Sequence, residues 1–275
     1  MRKLPLPLLA MLLFTSCQKQ ISTDKTSEEI AGAAANKQAK FTVCHYDPVT
    51  KTSKSIEVTQ NALAGHLAHG DLQGDCSAVL VKICDQDWTK KNLDVSTYRN
   101  GDPIPQVTNQ DAWEALTTGA WCYYFNDPAN GNTLGKLYNW YAVNDSRGLA
   151  PVGWHIPSVE NWTTLVNCLG GDFAAGGKMK TTGTIEAGTG LWNAPNTDAT
   201  NSSGFTGIPS GNRSILFLPA SFTGYFASWW SSTEYSTETA HFYSLYYSLP
   251  YVLSSSLGSG YPDKKAGFSV RCVRD

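Results

Sequence analysis

The sequence predicts an α+β fold, with helices in the first part of a large domain and a small antiparallel sheet in the second. Three observations predict it. Stretches with a capping residue and a one-sided apolar pattern recur as far as Leu169. Aromatic residues alternating with Ser and Thr dominate from Ala227 onward, the period-two pattern of half-buried strands. Ahead of both lies a short Cys/His-rich stretch that reads as a hairpin followed by one helix.

The chain opens with Arg2 and Lys3, an apolar run from Leu4 to Phe14 too short to span a bilayer, and then Thr15-Ser16-Cys17. Small residues before a cysteine resemble the lipobox of bacterial lipoproteins. That resemblance implies a signal peptide over residues 1–16, a lipid on Cys17 and an outer-membrane location at the cell surface. The other reading is an ordinary signal peptide that leaves Cys17 as a spare thiol. Residues 17–39 are polar and hold no aromatic side chain, so they are expected to form a flexible tether.

Residues 40–77 form the small unit. Phe41 to His45 and Ser55 to Val58 alternate like paired strands, Thr59 stands where a helix cap belongs, and Gly70 ends a helix through Asn61 to His69. His66 and His69 share a helix face at i, i+3, and His45 and Asp71 flank them. Imidazoles and a carboxylate so spaced are candidate ligands for a divalent ion, zinc or calcium. Alternatively, the histidines bond backbone groups and pack on Leu63 and Leu67. Cys44 and Cys76 bracket the unit and are expected to form a disulfide, worth on the order of 3 kcal/mol. The unit resembles a short recurrent bacterial module with Cys-His near its start and a His-Leu-Ala-His-Gly-Asp core, to which no activity is assigned.

The large domain spans residues 81–275. Val81 to Cys84 reads as a strand, and Asn109 caps a helix from Gln110 to Leu116. Trp121 to Phe125 reads as an aromatic strand and Lys136 to Val143 as a second helix. Ser158 caps a third, whose Trp162, Leu165, Val166 and Leu169 fall on one face before Gly170-Gly171 stops it. From Gly170 to Tyr225 Gly, Thr, Asn and Ser prevail, so this region is expected to be irregular and to serve a ligand. Ala227 to Tyr235, His241 to Tyr251 and Gly267 to Val273 complete the strands.

Several of these pieces carry a family resemblance: Asn92 to Gly101, Gly135 to Val143, Gly148 to Leu165 with its Gly-Trp-His-Ile-Pro-Ser core, Trp230 to Glu234, and Gly267 to Val273. In this order they resemble the Fibrobacter succinogenes major paralogous domain, found in surface lipoproteins of Bacteroidetes and Fibrobacter with no established activity. The closing Gly-Phe-Ser-Val-Arg-Cys is also similar to the end of the C-type-lectin-like fold shared with formylglycine-generating enzymes. What this implies is a C-type-lectin-like domain with a small antiparallel sheet and two or three helices.

Charge and motifs narrow the function. The net charge is −2, with no basic run after the leader, which argues against nucleic acid as a partner. No Gly-x-Ser-x-Gly elbow is present, and Glu160, Asp172 and Glu234 make no convincing pair for glycoside hydrolysis, so no catalytic residue is assigned. The cysteine pair of formylglycine-generating enzymes and the sugar-calcium motifs of true C-type lectins have no counterpart. The expectation is a binding module for a glycan or a surface protein. The alternatives are a structural, adhesin-type or pilus-like envelope subunit and, after that, a divergent enzyme. Candidate ligand residues are Trp230, Tyr235, Tyr243, Tyr246, Tyr247, Tyr251 and Tyr261, with Asn201 and Asn212 on polar loops. Cys84, Cys122, Cys168 and Cys272 cannot be paired from sequence.

Overall fold

The computed structural model describes residues 39–213, 223–255 and 260–275. The expected signal peptide, Cys17 and nearly all of the tether lie outside the described residues. Alternation at Phe41–His45 and Ser55–Val58 produces β1 (Lys40–Asp47) and β2 (Thr52–Thr59), an antiparallel hairpin that sets Cys44 opposite Ser55 and His45 opposite Lys54. Helix α1 (Gln60–Ala68) buries Leu63 against Val43 and Val58. Thr59 sits at its N-cap as expected, yet its side chain makes no capping bond.

Two short pieces complete the unit. Strand β3 (Leu72–Gln73) pairs with β1 on the side away from β2, and α2 (Cys76–Val79) is capped by Asp75. This brings the Cα atoms of Cys44 and Cys76 to 4.6 Å, and the two form a disulfide. Replacing both with Ala is expected to lower stability by on the order of 3 kcal/mol in urea unfolding. An unchanged midpoint would mean that strand pairing alone holds the unit closed.

The larger part follows as β4 (Leu80–Ile83), β5 (Gln86–Thr89), α3 (Gln110–Glu114), β6 (Trp121–Cys122), α4 (Gly131–Leu134), β7 (Leu137–Tyr138), α5 (Trp140–Val143) and β8 (Trp154–His155). Then come α6 (Val159–Cys168), α7 (Asp172–Met179), β9 (Phe226–Glu234), β10 (Ala240–Tyr246), β11 (Val252–Ser254) and β12 (Val273–Arg274). The result is a mixed α and β protein with four small antiparallel sheets. Their strand orders are β2-β1-β3, β11-β10-β9, β4-β5-β12-β8 and β6-β7.

Among the described residues of the large domain there are five α-helices rather than two or three. Three of them have only four or five residues, too few for an apolar period to show. Helix α6 forms as expected: Ser158 and Asn161 make a reciprocal capping box, and Trp162, Leu165 and Val166 are buried. Gly170 and Gly171 stop it at φ of 102° and 85°, but α7 starts at once inside the stretch expected to be irregular.

Three other expectations need correction. The expected helix from Lys136 is β7 followed by α5, because buried Asn139 accepts the amides of both Ala120 and Ala142 and so ends the strand and caps the helix. The aromatic strand stops at Cys122; Phe125 and Asn126 adopt φ of 54° and 56°, which turns the chain back. The expected strand from His241 to Tyr251 breaks after Tyr246, and β11 resumes at Val252.

The last segment is the spine of the larger part. Phe268 exchanges backbone bonds with Tyr138, Ser269 bonds Ser228 and Trp230, and Val273 then pairs with Trp88 and His155. It changes partner along its length, so only Val273 and Arg274 form a regular strand. Two large cores lie on either side. One gathers Trp140, Trp154, Trp230 and Phe268; the other gathers Trp88, Trp162, Trp192, Phe205 and Trp229 around α6. Cys84 and Cys168 are bonded, whereas Cys122 and Cys272 are buried thiols that burial pushes up to about 11 and about 12.

Candidate metal centre

The hairpin, α1 and the turn after it bring four chemically matched side chains to one point. His45 comes from β1, His66 from the last turn of α1, His69 from its C-cap and Asp71 from the turn that leads into β3. The spacing of His66 and His69 puts both rings on the face toward β1, and Gly70, at φ of 95°, reverses the chain so that Asp71 points back between them. One potential ligand atom from each of the four lies within 4.8 Å of the others.

All three rings aim at the same atom. Asp71 Oδ2 lies 2.8 Å from His45 Nδ1, 2.7 Å from His66 Nδ1 and 2.9 Å from His69 Nε2. Asp71 Oδ1 is held by the Tyr46 amide at 2.9 Å, which fixes the carboxylate plane. The Asp71 side chain is buried, while those of His45 and His66 are partly exposed and that of His69 is 55% exposed. Burial opposes ionisation of Asp71, but the bonds from His45, the Tyr46 amide, His66 and His69 outweigh it and bring its pKa down to about 2. Asp71 is therefore ionised at neutral pH.

This arrangement fits a cation better than it fits packing. A carboxylate oxygen offers about two lone-pair sites, yet three ring nitrogens crowd Asp71 Oδ2 while Oδ1 takes only the Tyr46 amide. A cation held by all four side chains would relieve that crowding. The packing reading placed the histidines against Leu63 and Leu67. The rings also meet one another edge-on, with centroids 5.2 to 5.9 Å apart.

The candidate ligand residues in the larger part do not form one face. Trp230 is fully buried, stacks on Phe268 and donates to the Tyr138 carbonyl; Tyr243 is buried against Trp162. Both belong to the core rather than to a surface site. Tyr246 lies over Phe226, Tyr247 meets Tyr225, and Tyr251 meets exposed Phe173. Asn201 Oδ1 accepts the Thr206 amide, and Asn212 Oδ1 is buried.

Only Tyr235 and Tyr261 among these residues make an open pair. Their rings stack with centroids 3.4 Å apart at 6°, His241 meets both edge-on, and Tyr235 is 55% exposed. Of the acidic residues, Glu160 lies in the first turn of α6, Asp172 in that of α7, and Glu234 pairs with Lys264.

Sequence reading overlooked the buried cations. Arg271 is wholly enclosed, giving Nε to Asn92 Oδ1 at 2.7 Å and its two amino groups to the carbonyls of Thr89, Phe205 and Thr206. Lys180 is enclosed too, and binds the carbonyls of Tyr246 and Leu249 at 3.0 and 2.9 Å. The signal for Arg271 was its place in the closing Gly-Phe-Ser-Val-Arg-Cys, between residues that had to be core.

Set against known protein families, residues 81–274 match the Fibrobacter succinogenes major domain. No curated protein and no solved structure matches the chain.

Proposed function

The chain belongs to the Fibrobacter succinogenes major domain family, and from that premise we propose that it is a lipid-anchored envelope protein that serves as a binding module and carries a zinc ion in its N-terminal unit. The observation that carries this reading is the convergence of His45, His66 and His69 on Asp71 Oδ2. Three imidazoles and one carboxylate form a nitrogen-rich set of four, which suits zinc; calcium takes six to eight oxygens. Four protein ligands close a tetrahedral shell, so the ion has a structural role. Metal analysis of the purified chain tests the reading: one zinc per chain supports it, and calcium or no metal overturns it.

The lipid anchor rests on Thr15-Ser16-Cys17 behind the apolar run. Replacing Cys17 with Ser is expected to move the protein from the membrane fraction to the soluble one. Persistent membrane attachment of that variant would remove the anchor from the proposal.

The larger part is read as a C-type-lectin-like domain, supported by β12 joining β5 and so bringing the two ends of the family domain into one sheet. Glycan is the favoured ligand, and the open Tyr235–Tyr261 stack beside His241 is the favoured platform. Tyr235→Ala is expected to cost about 1 kcal/mol of binding to a glycan found by array screening, with an unchanged circular dichroism spectrum. Undiminished binding would place the ligand elsewhere.

A further inference from the structure

The residues of the metal centre alternate along the chain with residues that hold the N-terminal unit against the family domain. His45 is a ligand; its neighbour Tyr46 lies under the Arg274 guanidinium at 3.9 Å. His69 and Asp71 are ligands; Gly70 between them accepts a 2.7 Å bond from the buried Trp154 indole. The fit at Gly70 is close, since a Cβ there would stand 1.9 Å from the Val152 carbonyl oxygen. Leu72, next after Asp71, packs on the core around Trp140 and Trp154.

The domain side is equally continuous. Arg274 lies between the Tyr46 and Trp154 rings, at 3.9 and 4.3 Å, and reaches Ser53 of β2 and Asp87 of β5. A cleft of about 620 Å³ opens in the same seam, lined by Leu67 and Asp71 from one side and Leu93, Val95, Arg99 and Val152 from the other.

The geometry points to the zinc ion as the latch of this seam: by fixing His45, His69 and Asp71 it fixes Tyr46 and Gly70 between them, and so sets one wall of the cleft. This rests on the zinc reading above and adds a role to it. The site lies where the central strand β1 meets the α1–β3 turn, and the ion joins the two at one point. Coupling of this kind is reciprocal. Zinc must strengthen closure of the seam by the factor by which closure strengthens zinc binding, so opening the seam from the domain side weakens zinc binding by up to that factor.

Zinc chloride titrated into the chelator-stripped full chain, held in detergent, tests this against an Arg274→Met variant. Arg274 bonds Asp87 and Ser53 rather than a ligand, and losing its charge near Asp71 would by itself favour zinc, yet its loss is expected to lower zinc affinity about five-fold or more through the seam. In the unaltered chain, zinc is expected to slow hydrogen exchange at the Trp154 indole by a similar factor. This second measurement decides alone should the variant not fold. Zinc that binds while Trp154 exchange stays unchanged overturns the latch and spares the zinc site. Failure of zinc to bind overturns both.

Discussion

Arg271→Met is expected to lower the free energy of unfolding by about 3 kcal/mol or more, the largest loss of any single substitution proposed for this chain. The guanidinium is fully buried, and burial pushes its pKa down, so the charge persists only because four oxygens surround it. Methionine fills much of the volume but orphans the carbonyls of Thr89 and Thr206, each at about 1–3 kcal/mol when buried and unpaired, while the Phe205 carbonyl keeps the Thr206 hydroxyl at 2.7 Å. Asn92 is less affected, since its Oδ1 also accepts the Trp229 indole at 2.8 Å. Arg271→Lys is not expected to rescue, because an ammonium cannot reach four acceptors laid out for a planar fork. Urea unfolding measures the loss. A change under about 1 kcal/mol would show that water takes over those carbonyls.

Zinc at roughly a hundred times its dissociation constant is expected to stabilise the chain by about 2.7 kcal/mol, and chelation or His66→Ala to remove that gain. The dependence on pH separates metal from carboxylate. Imidazoles bind zinc only when neutral, so protons compete with the ion and the zinc contribution is lost as pH falls. Asp71 behaves differently. Its folded pKa of about 2 lies below the 3.8 of an ordinary aspartate, so its contribution is present above 3.8 and disappears as pH falls toward 2. Melting curves across pH, with zinc and with chelator, should therefore diverge at neutral pH and converge in acid. Curves that coincide at every pH would dismiss the ion.

Reading the sequence alone reached furthest where a feature is local. Helix α6 was legible because Ser158, Asn161, Trp162, Leu165 and Val166 act within three turns of one another. The N-terminal hairpin and α1 were legible for the same reason, as was the pairing of Cys44 with Cys76 across a compact unit. Helix α4 was not, and α5 was read only as the end of a longer helix from Lys136. Each is one turn long, and α5 depends on Asn139, whose amide oxygen also holds Ala120 from a separate strand.

The aromatic residues show the same limit. Alternation marked Trp230, Tyr235 and Tyr243 as strand residues, which they are or adjoin, but a period of two names two faces without saying which is covered. Packing of Phe268 and Trp162 covered Trp230 and Tyr243, and left Tyr235 open.

The sequence by itself marked the family, the capped helix α6, the candidate cluster His45, His66, His69 and Asp71, and the disulfide beside it. These follow from residue type and short spacing, which local backbone geometry converts directly into position. The tertiary structure alone decided that three rings share one oxygen of Asp71, that Gly70 sits on Trp154, and that Arg271 is enclosed. Gly70 and Trp154 are 84 residues apart, and Arg271 and Asn92 are 179 apart. Contacts at such separations arise when sheets close on a common core, and no pattern within a window of one or two turns records them.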